Sequence, residues 1–272
     1  MALAKQFNWP NQPITVFGGP PDASGTDINA IYTAEATKRF TIGTKYETWD
    51  GRVFRYAHNG GVALVQALMT QSAVQSAKTV SIAQTGHAKA VGQTDVTCLV
   101  TTGGIAATES WTYENALEGG WMICASVSPA VLGDTYMIVA SKMISETIIN
   151  ITLDRPIKNA IGATGEVTLM TSRFSYTIVV PVTTATAPPA GVPLVPVPIN
   201  YYFWAQTKGP CPMIVDTGDT ITVGAMGGIP ATNAVAGAVG AATATLHAFP
   251  TYGRVLSVAA GDKVALIDLD LE

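Results

Sequence analysis

The segment of this sequence that most suggests catalysis is Ile214-Val215-Asp216-Thr217-Gly218, which matches the pattern around the catalytic carboxylate of aspartic proteases. Such enzymes need two carboxylates that share one proton. One copy of the pattern would require a symmetric dimer, and the 272-residue chain is too long for that protease type. Asp-Thr-Gly-Asp is also a favourable β-turn, because Asp caps its own backbone and Gly tolerates positive φ. We favour the turn and keep an aspartic-type hydrolase that uses Asp216 as an alternative.

Other residue types capable of chemistry lack the spacing that chemistry needs. Zinc-binding spacing is absent from the histidines, which are His58, His87 and His247. His58 adjoins an Asn-Gly turn, where we expect it to be exposed. The cysteines are odd in number and far apart, so we expect small buried hydrophobes at Cys98, Cys124 and Cys211. We therefore predict no catalytic residue, no cofactor and no metal site.

The C-terminus carries acidic residues, of which Asp268 and Asp270 would point to one face of a strand. A calcium pair is one interpretation, although hard cations need several converging oxygens and only two can be named. The other interpretation, which we prefer, is a charged edge strand that resists pairing with other chains.

The composition is unusual for its low charge. Only 12% of the residues are charged, against about 25% in typical proteins. Two long stretches, 174–207 and 220–253, contain no Asp, Glu, Lys or Arg. Soluble monomers normally scatter charge over their surface, so this chain is expected to cover much of its surface with other chains. The net charge of -4 and the absence of a basic stripe argue against nucleic acid as a partner.

No membrane partner is predicted either. The stretch 174–207 is interrupted by prolines, and 220–253 is rich in Gly, Ala and Thr, whereas a membrane-spanning helix needs about 20 mostly apolar residues. The first residues, MALAKQFNWP, lack the apolar core of a signal peptide.

The clearest fold signal is the segment Thr44–Val65, which predicts a strand, a tight Asp50-Gly51 turn, a second strand, a turn at Asn59-Gly60 and a third strand over 62–64. About a dozen similar short strands follow, separated by Gly-containing turns. This pattern predicts an all-β fold, a β-sandwich or barrel-like body of many short antiparallel strands. A turn is expected at Lys208-Gly209-Pro210 and a short strand over 221–223. The proline-rich run 192–199 is not expected to form a central strand.

The N-terminal part differs from the rest. Met1–Pro21 contains four prolines and two aromatic residues, which favour an extended arm that packs on another surface. A short helix is predicted within Asp22–Phe40, where apolar residues have helical spacing. The predicted organisation is an arm with a short helix over 1–40 and a β-rich body over 41–272.

The aromatic run Tyr201-Tyr202-Phe203-Trp204 has two interpretations. A row of aromatic rings can bind a sugar by stacking. More often such a run fills a core on one face and an interface on the other, because Tyr and Trp are enriched at interfaces. We prefer the second interpretation.

The order of the segments resembles a diverse family of tailed-bacteriophage virion structural proteins, which includes capsid decoration, or cement, proteins. The resemblance covers about residues 42–271 and rests on YETWDGRVFRYAHNGGVAL, EGGWMIC, LGDTYMI, ITLDRPI, YYFWAQTKGPCPMIV and DKVALIDLDL. Each segment is only a turn and a strand, so the specificity lies in their order and spacing. This chain departs from the family pattern in its longer Gly/Ala-rich segment Val223–Leu246.

The resemblance implies a non-enzymatic protein that binds and braces the outer surface of the head shell. The implied partners are the major capsid protein and further copies of the chain, with a homotrimer expected and a dimer as the alternative, because icosahedral shells offer three-fold positions. Host adhesion through a carbohydrate-binding module is the rival function. The expected interface residues are Phe7, Trp9, Pro10, Pro13, Tyr201, Tyr202, Trp204, Val235 and Val239.

Overall fold

The computed structural model describes residues 30–48, 50–72, 80–83, 89–100, 114–124, 133–145, 147–162, 165–181, 185–230, 235–241, 251–258 and 263–272. In these ranges the fold is all-β, as predicted, and the one helical element is a 3-10 turn at Ala30–Tyr32. That turn lies inside the segment predicted to hold a short helix. The predicted arm, Met1–Pro21, lies outside the described residues.

The described residues form sixteen strands. The first eight are β1 (Lys45–Glu47), β2 (Val53–His58), β3 (Thr70–Gln71), β4 (Val80–Ala83), β5 (Asp95–Val100), β6 (Trp121–Cys124), β7 (Thr135–Ser145) and β8 (Ile148–Leu153). The remaining eight are β9 (Glu166–Met170), β10 (Ile178–Val179), β11 (Pro189–Pro193), β12 (Tyr202–Ile214), β13 (Met226–Gly228), β14 (Gly240–Ala241), β15 (Thr251–Val258) and β16 (Val264–Asp270).

The strands belong to two compact units, and the second is inserted into the first. The first unit comprises Met1–Gln71, Ile178–Ala185 and Pro189–Glu272, and the second comprises Ser72–Thr177 and Thr186–Pro188. The prediction of one β-rich body over 41–272 contains no sign of this insertion, because both units use the same pattern of short strands and Gly-containing turns.

The first unit is built on one antiparallel sheet in the order β10-β3-β11-β12-β16-β15-β13-β14, and β2, which also pairs with β1, adds to β12. The first half of β12 is buried on both faces, whereas its second half alternates between buried and exposed positions. Hydrophobic residues from β12, β15 and β16 fill one core, and they include Met213, Tyr252 and Ile267. An aromatic cluster around Trp204 fills the space beside the first half of β12.

The length of β12 corrects the prediction of a turn at Lys208-Gly209-Pro210. Gly209 does adopt a positive φ of 83°, but the strand continues past it with a register shift between Gln206 and Lys208. The buried Gln206 side chain donates hydrogen bonds from Nε2 to the backbone oxygens of Lys208 (3.1 Å), Gly209 (3.2 Å) and Pro210 (2.9 Å). A side chain therefore satisfies the irregular backbone that would otherwise end the strand.

The segment Thr44–Val65 contains one hairpin, not two. Thr48 N donates to Arg52 O (2.9 Å) around Gly51, whose φ is 82°, so the β1–β2 turn is longer than the predicted two-residue turn. The predicted third strand over 62–64 is wrong, because Leu64 forms only an isolated bridge with Val197.

Two further strand predictions are wrong. The prediction for 192–199 is wrong only at its first two residues: Val192 and Pro193 belong to β11, which pairs with both β3 and β12 and is internal to the sheet, whereas 194–199 forms no strand. The strand tolerates proline because Pro189 and Pro193 occupy its two ends. The predicted strand over 221–223 does not form, and the chain there turns before β13.

The second unit is a closed antiparallel barrel in the order β4-β5-β8-β7-β6-β9. Alternate residues on its strands point inward, as in β6, where Met122 and Cys124 are buried between more exposed neighbours. The core is continued by Ile157 and Ile161 from the segment after β8. Closure leaves the barrel without free strand edges, which favours independent folding of this unit.

Both ends of the inserted unit leave from adjacent strands of the first unit. The chain departs after Gln71 in β3 and returns at Ile178 in β10, and these two residues are direct antiparallel partners. The gap between them therefore has the geometry that a two-residue hairpin turn closes.

This topology predicts that the first unit folds without the insertion. Replacing 72–177 by Asn-Gly, which favours the hairpin turn, should give a chain with a strand-type circular dichroism spectrum and cooperative unfolding in urea. As a control, the same deletion closed by Pro-Pro should be less stable, because proline cannot adopt the positive φ that the turn needs. Non-cooperative unfolding of the Asn-Gly chain would contradict the prediction.

Candidate functional site

Asp216 lies in a turn that positions the neighbouring segment around Val239. Its side chain is 1% exposed, and its Oδ1 accepts a hydrogen bond from Val235 N (2.7 Å). Its backbone N donates to Val239 O (3.0 Å), and its carbonyl accepts from Asp219 N (3.2 Å), which closes the turn. The carboxylate therefore has a structural function, as the turn interpretation predicts.

A cavity of about 670 Å³ lies beside this turn. Its lining includes the turn 216–220, Val235 and the exposed Lys263. Asp219 is the second carboxylate at the cavity, but it comes from the same turn and its Oδ2 lies against Gly240, where an added Cβ would be 2.0 Å away. The two acids thus belong to one packed loop, unlike the two separate, symmetric carboxylates of an aspartic protease.

The aromatic run places its rings mainly in the core. Phe203 and Trp204 are buried, whereas Tyr201 and Tyr202 are partly exposed. The Trp204 ring centroid lies 5.2 Å from that of Tyr56 and 5.8 Å from that of Tyr46, in edge-on arrangements that aromatic pairs prefer. Burial leaves Trp204 little surface for another chain or a sugar, so any contact through this run would use the two tyrosines.

The other predicted interface residues differ in how exposed they are. Val235 is partly exposed, but Val239 is buried in the core of the first unit, so Val239 has no surface to offer a partner. The remaining four, Phe7, Trp9, Pro10 and Pro13, lie outside the described residues.

His58 is buried, and the prediction that it is exposed is wrong. Its ring lies 4.6 Å from that of Tyr202, its direct partner on β12, which pairs with β2 in the sheet. The adjoining Asn59 is also buried. Its Nδ2 donates to Val197 O and Pro198 O, and these bonds hold the Asn-Gly turn against the segment 197–198. Burial lowers the pKa of His58 to about 4; a hydrogen bond with the Asn200 backbone opposes this shift, and Lys38 adds to it.

The three cysteines are buried free thiols, as predicted. Burial and the nearby Asp134 raise the pKa of the Cys124 thiol to about 11. Burial also raises the pKa of Cys211 to about 12, against the opposing effect of Arg52. Because the thiolate is the reactive form, both side chains act as packing groups.

The acidic C-terminus does not form an edge strand. β16 lies between β12 and β15, so the edge-strand interpretation of Asp268 and Asp270 is wrong. Among the described residues, no group of three His, Cys, Asp or Glu side chains is placed to hold a metal ion.

An exposed sheet surface, which we call the outer face, is not among the predicted sites. It consists of the outward-pointing residues of β12, β13, β15 and β16: Lys208, Pro210, Pro212, Met226, Arg254, Leu256, Val264, Leu266, Asp268 and Asp270. The signal was present in VALIDLDL, because period-2 alternation places Val264 and Leu266 on the same side as the two aspartates.

Comparison with known proteins gave no match to a family model, a curated protein or a solved structure. Within the described residues, no helix has the length and apolar character to cross a membrane.

Replacing Asp216 should lower stability most when the new side chain has no oxygen to accept the hydrogen bond from Val235 N. Asp216→Ala leaves the partly buried Val235 N–H without this acceptor, which should lower the free energy of unfolding by about 1–3 kcal/mol, whereas Asp216→Asn keeps an oxygen and should lose less. Urea unfolding measures both, with the exposed neighbour substitution Thr217→Ala as control. A peptidase activity abolished by Asp216→Asn in a chain of unchanged stability would instead favour the hydrolase.

His58 should make stability depend on pH below neutrality. Its folded pKa of about 4 lies below the ordinary value of 6.5, so between these values the unfolded chain binds a proton that the folded chain does not. The contribution of His58 to the free energy of unfolding is therefore fully present above about pH 6.5. It is lost as the pH falls to about 4, by about 3 kcal/mol in total.

The His58 contribution is measured by comparing urea unfolding of the wild type and His58→Phe at several pH values. The phenyl ring keeps the contact with Tyr202 but does not titrate, so the difference in unfolding free energy between the two chains should change over this pH range and stay constant above it. Parallel pH profiles would show that His58 is not the group responsible.

Proposed function

We propose that this protein is a non-enzymatic decoration, or cement, protein of a tailed-bacteriophage head. In this proposal it binds the outer surface of the capsid shell, contacts the major capsid protein and stabilises the assembled head. The protein acts through binding energy, and Asp216 serves as a turn residue and not as a catalyst.

The observation that carries the proposal is the spatial arrangement of the segments that resemble the phage family. Three of them form β2, β12 and β16, which are hydrogen-bonded neighbours in the first unit. The other three supply β6, β7 and β8, which are consecutive neighbours in the barrel. A substitution in one strand affects the strand that pairs with it. Finding all six segments in this chain, on strands that pair with one another, therefore supports a shared fold more strongly than six unconnected short matches would.

The chemistry of the surface supports a binding role as well. The chain has few charges, and large hydrophobic side chains are exposed on both units, among them Val62, Trp121, Ile144 and Val223. Such side chains gain free energy when another protein covers them, about 25 cal/mol per Å² of apolar surface. On a shell the same contact is repeated in many copies, so modest individual affinities add up.

Within this proposal the chain is a homotrimer, with a dimer as the alternative. A trimer at a three-fold position contacts three neighbouring shell subunits equivalently. Closed symmetry is the usual way for a homo-oligomer to cover its apolar surface.

The direct test is binding of the purified protein to heads assembled without it, measured by co-sedimentation and by survival of the heads on heating. We expect saturable binding and an increase in the temperature at which the heads open. Phe7→Ala/Trp9→Ala should weaken binding, because each buried aromatic side chain contributes roughly 1.5–3 kcal/mol, and should leave the melting temperature of the free protein unchanged.

The control for this experiment is Ile144→Ala, which truncates an exposed hydrophobic residue of the inserted unit. Wild-type protein that ignores the heads but binds glycans on an array would favour the host-adhesion function. Loss of folding in Phe7→Ala/Trp9→Ala would place the N-terminal segment in the core, against the predicted boundary at residue 40.

A further inference from the structure

The outer face of the first unit has an apolar half that is unusual for a solvated sheet. In β16 the inward residues Ala265, Ile267 and Leu269 are buried, so the alternate residues should be polar if that side met only water. Instead Val264 and Leu266 are exposed, with 37% of the Leu266 surface accessible.

Neighbouring strands extend this apolar half in both directions. Leu266 lies opposite Pro212 of β12, and Leu256 of β15 is 43% exposed at the position where that strand bulges. Beyond Val264 the surface opens into a cavity of about 400 Å³, whose apolar lining includes Val65 and Leu194. The apolar half is thus several strands wide and contains a depression into which a side chain of another molecule can insert.

The other half of the outer face is charged, and its charges are of both signs. Lys208 lies opposite Asp270, and Arg254 lies opposite Asp268. The described residues give none of these four side chains a hydrogen bond or ion-pair partner within 4.0 Å. Two positive and two negative groups therefore remain available at the border of the apolar half.

This charge pattern selects the partner. A strongly acidic or strongly basic surface would match only two of the four charges and would repel the other two. A second copy of the same face carries the same two cations and two anions, so every charge can meet an opposite one. An apolar centre with a polar, charged border is also the usual anatomy of a protein interface.

The contact must use the face of the sheet, because the adjoining edge of β12 is blocked. Leu271 N donates to Thr207 O (3.0 Å) on the β16 side, and Ile214 N donates to Ala67 O (3.0 Å). Because bonding positions alternate along an antiparallel pair, Pro210 and Pro212 point their nitrogens away from β16. Neither has an N–H to offer an incoming strand, so strand addition there is disfavoured.

We infer that the outer face is the surface through which copies of this chain associate. A face that meets its own copy gives a two-fold dimer, so the inference deepens the dimer alternative of the proposed function. It moves the contact between copies from Val235 and Val239 to the exposed residues of β12, β15 and β16. It does not depend on the identity of the shell.

Complementary charge reversal tests the inference with full-length protein. Asp268→Lys/Asp270→Lys gives a face with four positive charges, and Lys208→Glu/Arg254→Glu gives a face with four negative charges. Analytical ultracentrifugation should show twice the 28.3 kDa chain mass for the wild type and the mass of a single chain for each variant alone. An equal mixture of the two variants, with one fluorescently labelled, should again form complexes that contain both chains.

Two matched controls separate the face from general effects of charge. Glu114→Lys/Glu166→Lys makes the same charge change at exposed acids of the inserted unit and should not alter the mass. Leu266→Glu should dissociate the complex, whereas Ile144→Glu, at an exposed residue of β7, should not. Circular dichroism melting of each variant verifies that it is folded.

A monomeric wild type, or variants of the outer face that associate as the wild type does, would overturn the inference. The head-binding result is separate from these outcomes. If the protein binds heads but the outer-face variants associate as the wild type does, the proposed function is supported and this interface is wrong. If the protein associates through the outer face but does not bind heads, the interface is supported and the proposed function is wrong.

Discussion

The burial of the first half of β12 on both faces is the constraint on which the first unit depends. Its first half pairs with β2 and β11 and its second half with β16, so the strand joins most of the sheet. Trp204 packs in the aromatic cluster on one face, while Met213 reaches the core that β15 and β16 share. A substitution that displaces β12 would break its hydrogen bonds with β2, β11 and β16 together. We therefore expect β12 to tolerate substitution less than any other strand of the first unit.

The few charges of the chain are used in two different ways. Several pair locally in and near the first hairpin, such as Lys45 with Glu47 at 3.2 Å and Arg52 with Asp50 at 2.9 Å. Exposed pairs of this kind contribute little to stability. Those of the outer face are held opposite one another on neighbouring strands without closing into pairs, which keeps them available to a partner and gives them a role in choosing it.

The all-β fold, most of the strands and the buried cysteines could be predicted from the sequence, because alternation and turn residues act locally. The insertion could not, since nothing local distinguishes a strand of one unit from a strand of the other. The turn predicted at Lys208-Gly209-Pro210 failed because a distant effect, the Gln206 side chain bonding to three carbonyls, outweighed the local preference. For the same reason His58 is buried beside a turn that normally marks exposed chain.

The route by which the insertion joins the first unit also determines its mechanical behaviour. β3 and β10 each contribute two residues to their ladder, and both connections to the inserted barrel emerge at the same end of it. A force that pulls on the barrel therefore loads the hydrogen bonds of this ladder one after another, as in opening a zipper, instead of loading them together in shear. This two-residue ladder should therefore open at a lower force than a ladder of the same length loaded in shear.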